Sequence, residues 1–258
     1  MNLTFFKYQG TGNDFIMIDN RAKTFPKYNT KIVKKLCDRH FGIGADGLIL
    51  LEDDEQTNFR MVYYNADGNE STMCGNGGRC IVAFAKKLGL FETDTTFMAI
   101  DGIHHAILKD DIVSLQMIDV EKVDIFQSYI FTNTGSPHHV QLVDDIENFD
   151  VYNEGRKIRH EIYGTEGSNV NFVKNIDDNT YRVRTYERGV EDETLACGTG
   201  VTAVALAMHS SKKTKANTIN MLVEGGKLSV SFEYNNGKYT NVHLIGSAEF
   251  VFSGNIEI

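Results

Sequence analysis

Two cysteines in glycine-flanked turns are the residues of this 258-residue chain best placed to do chemistry. One stands in Glu193-Thr194-Leu195-Ala196-Cys197-Gly198-Thr199-Gly200, directly ahead of the apolar run Val201–Met208. A helix apolar on all sides has to be buried, so the run predicts a core helix whose first turn carries the thiol. The start of a helix offers backbone N–H groups without intrahelical acceptors and the positive end of a dipole. Such an end binds anions and brings a cysteine pKa down from about 8.5 into the range of about 3.5–7.5. Read alone, the stretch fits an inert core cysteine as well as a reactive one.

The motif occurs twice. Glu70-Ser71-Thr72-Met73-Cys74-Gly75-Asn76-Gly77 precedes a second apolar run, Cys80-Ile81-Val82-Ala83-Phe84-Ala85. An offset of 123 residues relates the two cysteines, and it also pairs Glu70 with Glu193, Gly75 with Gly198, Gly77 with Gly200 and Tyr63 with Tyr186. The same register carries Thr11-Gly12 onto Thr134-Gly135, Gly44 onto Gly167 and Asp46 onto Asn169. One ungapped register held at distant points argues for duplication. Two equivalent thiols then permit a specific reaction. A thiolate removes a proton from one face of a carbon, and a thiol donates one to the opposite face. An amino-acid α-carbon is a weak acid, and its carbanion is stabilised when the carboxylate lies against oriented N–H donors.

The elements that would position these thiols are mostly strands. Residues 3–8 and 15–19 alternate in polarity around the turn Gly10-Thr11-Gly12-Asn13-Asp14, and Phe131–Val140 repeats that strand–turn–strand. Thr30–His40 reads as a helix capped by Thr30, with Cys37 packed inside. The loop Phe41–Gly47 follows a helix and opens a strand, the reverse of a dinucleotide fingerprint, which argues against NAD or ATP. Further strands are expected at 48–51, 58–64, 97–100, 104–109, 112–117 and 181–186, with three or four more after the second thiol helix. The expected fold is α+β. It has two pseudo-symmetric domains, 1–120 and 121–250, each a curved sheet around a central buried helix, with a tail of about 250–258 packing back on the first. A pseudo-twofold relation would place the two helix N-termini facing one another.

With 41% hydrophobic residues the chain has the material for a large core, and a net charge of −9 without a basic run disfavours nucleic acid and anionic membranes. No apolar run approaches the roughly 20 residues of a membrane span, and the N-terminus lacks the order of a signal peptide. The four cysteines form no CxxC pair. A disulfide scaffold or structural zinc site is not expected, and a cytoplasmic location is.

Taken together, Gly12-Asn13-Asp14-Phe15, Gly42–Gly47, Asn65-Ala66-Asp67-Gly68, Met73–Gly77, Pro137-His138, Tyr186–Gly189 and Ala196–Gly200 resemble the diaminopimelate epimerases over nearly the full length. These are cofactor-independent enzymes that interconvert LL- and meso-diaminopimelate. The resemblance implies Cys74 and Cys197 as the two bases and a small amino-acid substrate bound by Asn13, Asn65, Asn169, Glu187 and Arg188. It implies that Gly75-Asn76 and Gly198-Thr199 hold the reacting carboxylate, that His138 lies near the reacting amino group, and that the enzyme is a homodimer without metal. Where the family usually has Asn-Pro-His, this chain has Ser136-Pro137-His138; serine is shorter and carries one hydroxyl instead of an amide, so a substrate contact there is expected to be lost or bridged by water. Rival readings are a proline racemase-like enzyme, a non-catalytic amino-acid-binding protein and a thiol-redox protein. Arg188 with several asparagines suits a second, distal ammonium–carboxylate group, and the spacing of Cys74 and Cys80 does not suit a redox dithiol.

Overall fold

A computed structural model of the chain describes residues 2–258. Its elements in order are β1 (Asn2–Gly10), β2 (Asn13–Asp19), α1 (Thr30–Cys37), β3 (Gly47–Glu52), β4 (Phe59–Asn65), α2 (Gly75–Lys87), β5 (Asp94–Ala99), β6 (Gly102–Lys109) and β7 (Ile112–Gln116). Then follow β8 (Val123–Ile125), β9 (Ile130–Asn133), β10 (Pro137–Leu142), α3 (Val151–Glu161), β11 (Asn169–Asp177), β12 (Thr180–Glu187), β13 (Asp192–Thr194) and α4 (Gly198–Ser210). The chain closes with β14 (Thr218–Val223), β15 (Gly226–Asn235), β16 (Lys238–Ser247) and β17 (Glu249–Glu257). Two compact units result: one runs to Leu115 and takes in Gly246–Ile258, and the other is Gln116–Ile245.

In the first unit β1 and β2 form a hairpin closed by Gly10 opposite Asn13. Thr11 (φ 56°) and Gly12 (φ 84°) supply the two left-handed residues that a two-residue turn of this hand requires. β2 pairs parallel with β3, β3 antiparallel with β4, β4 parallel with β5, and β5, β6 and β7 run antiparallel. β17, the end of the chain, flanks β1 antiparallel. The second unit repeats this plan. β9 and β10 are antiparallel, β10 and β11 parallel, β11 and β12 antiparallel, β12 and β14 parallel, and β14, β15 and β16 antiparallel, with β8 flanking β9. The offset of 123 residues carries α2 onto α4 residue for residue.

Both faces of β2 and β3 are covered, which is why their sequences are nearly continuous apolar runs. Successive strand residues point to opposite faces. Ile16, Ile18, Leu48 and Leu50 meet Val33, Leu36 and Cys37 of α1, whereas Phe15, Ile49 and Met61 lie against Gly77 of α2. In the second unit Val170, Phe172 and Tyr186 pack on Val151 of α3, and Asn171, between Val170 and Phe172, meets Gly200 of α4. Each thiol helix is therefore the central helix of its own sheet. α2 touches β1, β2, β3, β4, β6 and β17; α4 touches β8, β9, β10, β11, β12 and β15.

Three local expectations need correction. α1 is capped by Asn29, whose side chain accepts from Ile32 N–H, and it ends at Cys37 rather than His40. Thr30 is its first helical residue, and Asp38 turns the chain by accepting from the His40 and Phe41 N–H groups. The thiols do not sit in the first turns of their helices. Cys74 and Cys197 are the N-cap residues, with extended backbone angles. Finally, α3 lies where no helix was expected.

Candidate active site

Each thiol is set at the mouth of a helix by backbone geometry. The first intrahelical bonds are Gly78 N–H to Cys74 O at 2.7 Å and Val201 N–H to Cys197 O at 3.0 Å. The N–H groups of the residues before them have no acceptor inside the helix and point out of its positive end. Neither cysteine side chain caps its helix. Only glycine fits one turn further on at Gly200. A Cβ there would come within 2.5 Å of Asn171 Oδ1 and 3.3 Å of Cys197 Sγ.

In the first unit the structure gathers Cys74, Asn13 and Asn76. Cys74 Sγ lies 3.7 Å from Asn13 Oδ1, and Asn76 Nδ2 donates to the same oxygen at 3.3 Å. Asn13 Nδ2 donates to Asp46 Oδ2 at 2.6 Å, which fixes the amide so that its oxygen faces the thiol. Arg39 bridges Asp46 and Asp14, and Lys7 adds a second cation to Asp14, whose carboxyl is held well below the usual range despite partial burial. Asn65 is exposed at the end of β4, where it lies opposite Gly47, the residue after Asp46.

In the second unit Ser136, Asn169 and Arg188 form one network. Asn169 Nδ2 donates to Ser136 Oγ at 2.9 Å, Arg188 N–H donates to Asn169 Oδ1 at 2.9 Å, and Arg188 Nη2 reaches Ser136 Oγ at 3.5 Å. The short serine thus holds both larger residues. Glu187 Oε2 accepts from Thr194 at 3.0 Å. Cys197 Sγ is 3.5 Å from Thr199 Oγ1, and Thr134 Oγ1 donates to Thr199 O at 2.8 Å, which ties the β9–β10 turn to the start of α4.

His138 is fully buried. Asn171 Oδ1 accepts from Thr185, so its Nδ2 is the donor to His138 Nδ1 at 3.2 Å. The histidine proton then sits on Nε2, which is buried and has no partner among the described residues. Burial, with the nearby Arg188 charge, pushes this imidazole down to about 3. It is a neutral N–H donor and not a charged acid.

Sequence reading picked out Thr134 only as a marker of the repeat and did not single out Asn171, Thr185 or Arg79, whose side chains hold His138 and Asn76. The one available signal was polarity inside otherwise apolar elements. Among the described residues no cluster of His, Cys, Asp and Glu could hold a metal ion, and no helix is long and apolar enough to cross a membrane.

Comparison with known proteins is consistent over the whole chain. A sequence model described as diaminopimelate epimerase matches residues 5–122 and 130–251. A diaminopimelate epimerase of Flavobacterium psychrophilum is 63% identical over 253 residues, covering 97% of this chain and 99% of that one. The Aquifex aeolicus diaminopimelate epimerase is 38% identical over 275 residues, covering 98% of each. Among solved structures, a Bacillus anthracis phenazine biosynthesis protein of the PhzF family superposes with a TM-score of 0.78 at 14% identity, covering 100% of both chains. A hydroxyproline epimerase from Agrobacterium vitis with bound trans-4-hydroxy-L-proline gives 0.72 at 14% identity, covering 99% of this chain and 92% of that one. At such identities the two structures speak for the fold alone.

Proposed function

Since this chain belongs to the diaminopimelate epimerase family, we propose that it interconverts LL- and meso-diaminopimelate by two-base proton transfer at the α-carbon. The observation that carries the mechanism is a cysteine at the N-cap of each of two equivalent central helices. One sulfur, as thiolate, takes the α-proton and becomes a thiol. The electron pair left behind spreads into the carboxylate as an enediolate, which the helix N–H groups of Gly75-Asn76 and Gly198-Thr199 stabilise. The other sulfur, as thiol, gives its proton to the opposite face and is left as thiolate. The configuration is inverted and no atom is lost.

Asn13, Asn65, Asn169, Glu187 and Arg188 bind the substrate in this reading. Arg188 is an exposed guanidinium whose backbone is anchored on Asn169, and it suits the distal carboxylate, which it can grip through two parallel N–H groups. Ser136 holds Asn169 and Arg188 in place, and His138 offers its Nε2–H to the substrate. The distal carboxylate is what a cyclic imino acid lacks. Incubation in deuterium oxide should therefore show α-deuterium entering LL-diaminopimelate but not proline. Uptake into proline at a comparable rate would sink the substrate assignment.

We also propose a homodimer. β17 pairs with β1 and leaves Phe250, Val251 and Phe252 about half exposed on neighbouring positions, more apolar surface than a monomer commonly leaves on one strand. Sedimentation at micromolar concentration should give twice the mass of the 29.0 kDa chain. A monomer would refute this part of the reading.

A further inference from the structure

Arg79 lies in the second turn of α2 with none of its side chain exposed. Its Nη2 donates to Thr11 Oγ1 at 2.8 Å and to Asn76 Oδ1 at 3.1 Å, its Nη1 to Gly75 O at 3.4 Å and its Nε to Ser247 O at 3.4 Å. Every one of these acceptors is neutral. Burying a cation on neutral acceptors is costly, so the stability of the core does not account for an arginine here. The acceptors have their place in common. Thr11 turns the β1–β2 hairpin, Gly75 and Asn76 open α2, and Ser247 ends β16 within the same unit.

The guanidinium also gives direction to a line of side-chain bonds. It can only donate, so Asn76 turns its Oδ1 to Arg79 and its Nδ2 to Asn13 Oδ1, 3.3 Å away. At the other end the carboxylate of Asp46, paired with Arg39, accepts from Asn13 Nδ2 at 2.6 Å. That bond turns Asn13 Oδ1 towards Asn76 and Cys74. The two amides are thus set from opposite ends. A flip of Asn76 would place its oxygen on the Asn13 oxygen and its NH2 on the guanidinium. Asn76 is buried, so solvent does not repair such a mismatch.

The hairpin turn shows a cost borne for the same contact. Thr11 is β-branched and stands at φ 56°, a conformation that glycine and asparagine take far more readily. Its hydroxyl is the nearest of the acceptors of Arg79. Gly10 beside it lies so close to α2 that a Cβ would stand 3.2 Å from Asn76 O and 3.3 Å from Arg79 Nη2. The second unit closes the equivalent contacts with hydroxyls. Thr134, which matches Thr11, donates to Thr199 O at 2.8 Å, and Thr202, which matches Arg79, donates to Gly198 O at 2.9 Å. A threonine therefore suffices for the backbone contact. The arginine adds the reach to the hairpin and a donor for the amide of Asn76, and at the position of that amide the second unit has Thr199.

We propose that Arg79 is a positioning residue that joins the turn beside Asn13 to the helix start beside Cys74 and fixes the Asn76 amide between them. The proposal rests on the reading of Cys74 as one of the two bases and of the Gly75-Asn76 N–H groups as donors to the reacting carboxylate. Its effect falls on the chemical step more than on binding. Asn13 keeps its Asp46 anchor, and Asn169, Glu187 and Arg188 have contacts of their own in the second unit. A small displacement of the groups around the reacting carbon is what slows proton transfer.

Steady-state kinetics with LL-diaminopimelate test this. Arg79→Met keeps the length of the side chain and removes every donor. It should lower kcat at least about tenfold and change KM by no more than about threefold. Arg79→Lys, which keeps donors, should recover most of the loss. Thr11→Gly removes the acceptor in the hairpin and relieves its backbone, so it should fold and lower kcat in the same direction. A wild-type kcat in folded Arg79→Met overturns the proposal, as does a lysine variant no better than the methionine one. If Arg79→Met does not fold, a wild-type kcat in Thr11→Gly overturns it. A second readout needs no turnover. With 15N in the asparagine side chains, the Asn76 Nδ2 hydrogens should exchange with solvent at least about tenfold faster in Arg79→Met than in the wild type. Unchanged exchange overturns the proposal whatever the substrate, so its failure is separate from failure of the epimerase reading.

Discussion

His138 and His139 enter the second unit as buried, uncharged rings. Burial pushes His138 down to about 3 and His139 down to about 4, from an ordinary value of 6.5. The unfolded chain therefore binds more protons than the folded one between those limits. The stability these rings permit is fully present above about pH 6.5 and is lost as pH falls towards the folded values. The melting temperature should drop between pH 7 and pH 5, and it should drop less in His138→Gln, whose amide carries no titrating proton. The same fall in both proteins would mean that His138 is not buried as a neutral ring. At Cys74 and Cys197 the residue types were legible because cysteine beside glycine at a helix start is a chemical signature. Asn171 was not legible. Val170-Asn171-Phe172-Val173 reads as strand in any case, and only the close approach of Gly200 shows why position 171 is polar.

The helices differ in how openly they declare themselves. α2 and α4 were evident from their apolar runs, since each is enclosed by its own sheet. α3 has the sequence VYNEGRKIRHE, with only Val151 and Gly155 buried, so a narrow stripe and a central glycine hide its period. The duplication register would have found it, because an offset of 123 residues carries α1 into α3. Gly155 also reverses a common expectation. Alanine in place of glycine inside a helix usually stabilises by about 0.5–1 kcal/mol. Here a Cβ would stand 2.4 Å from Tyr186 Cβ, and overpacking of this kind costs about 1–3 kcal/mol. Gly155→Ala should thus lower the unfolding free energy in urea titration, and a gain would show that α3 sits further from β12 than described. Tyr186 directly precedes Glu187 and Arg188, so a shift of α3 would also be felt at those two residues.

At the scale of the whole chain, one duplication accounts for both sheet plans, both hairpin turns and both thiol helices. It was readable because glycines and cysteines mark positions where backbone geometry leaves little choice. What the register does not preserve is the polar equipment. Asn13 is matched by Ser136, Asn65 by Arg188, Asn76 by Thr199 and Arg79 by Thr202. Two copies of one frame thus carry different polar side chains at equivalent positions. The central claim is that Cys74 and Cys197 serve opposite faces of one carbon. It is tested most directly by deuterium incorporation at the α-carbon of LL- and meso-diaminopimelate, separately, in Cys74→Ser and Cys197→Ser. A serine hydroxyl stays protonated where a thiol at a helix start ionises. Both variants should lose epimerisation, and any residual exchange should favour one isomer in the first variant and the other isomer in the second. Epimerisation at the wild-type rate by either variant would contradict the two-base account and leave a single base to do the work.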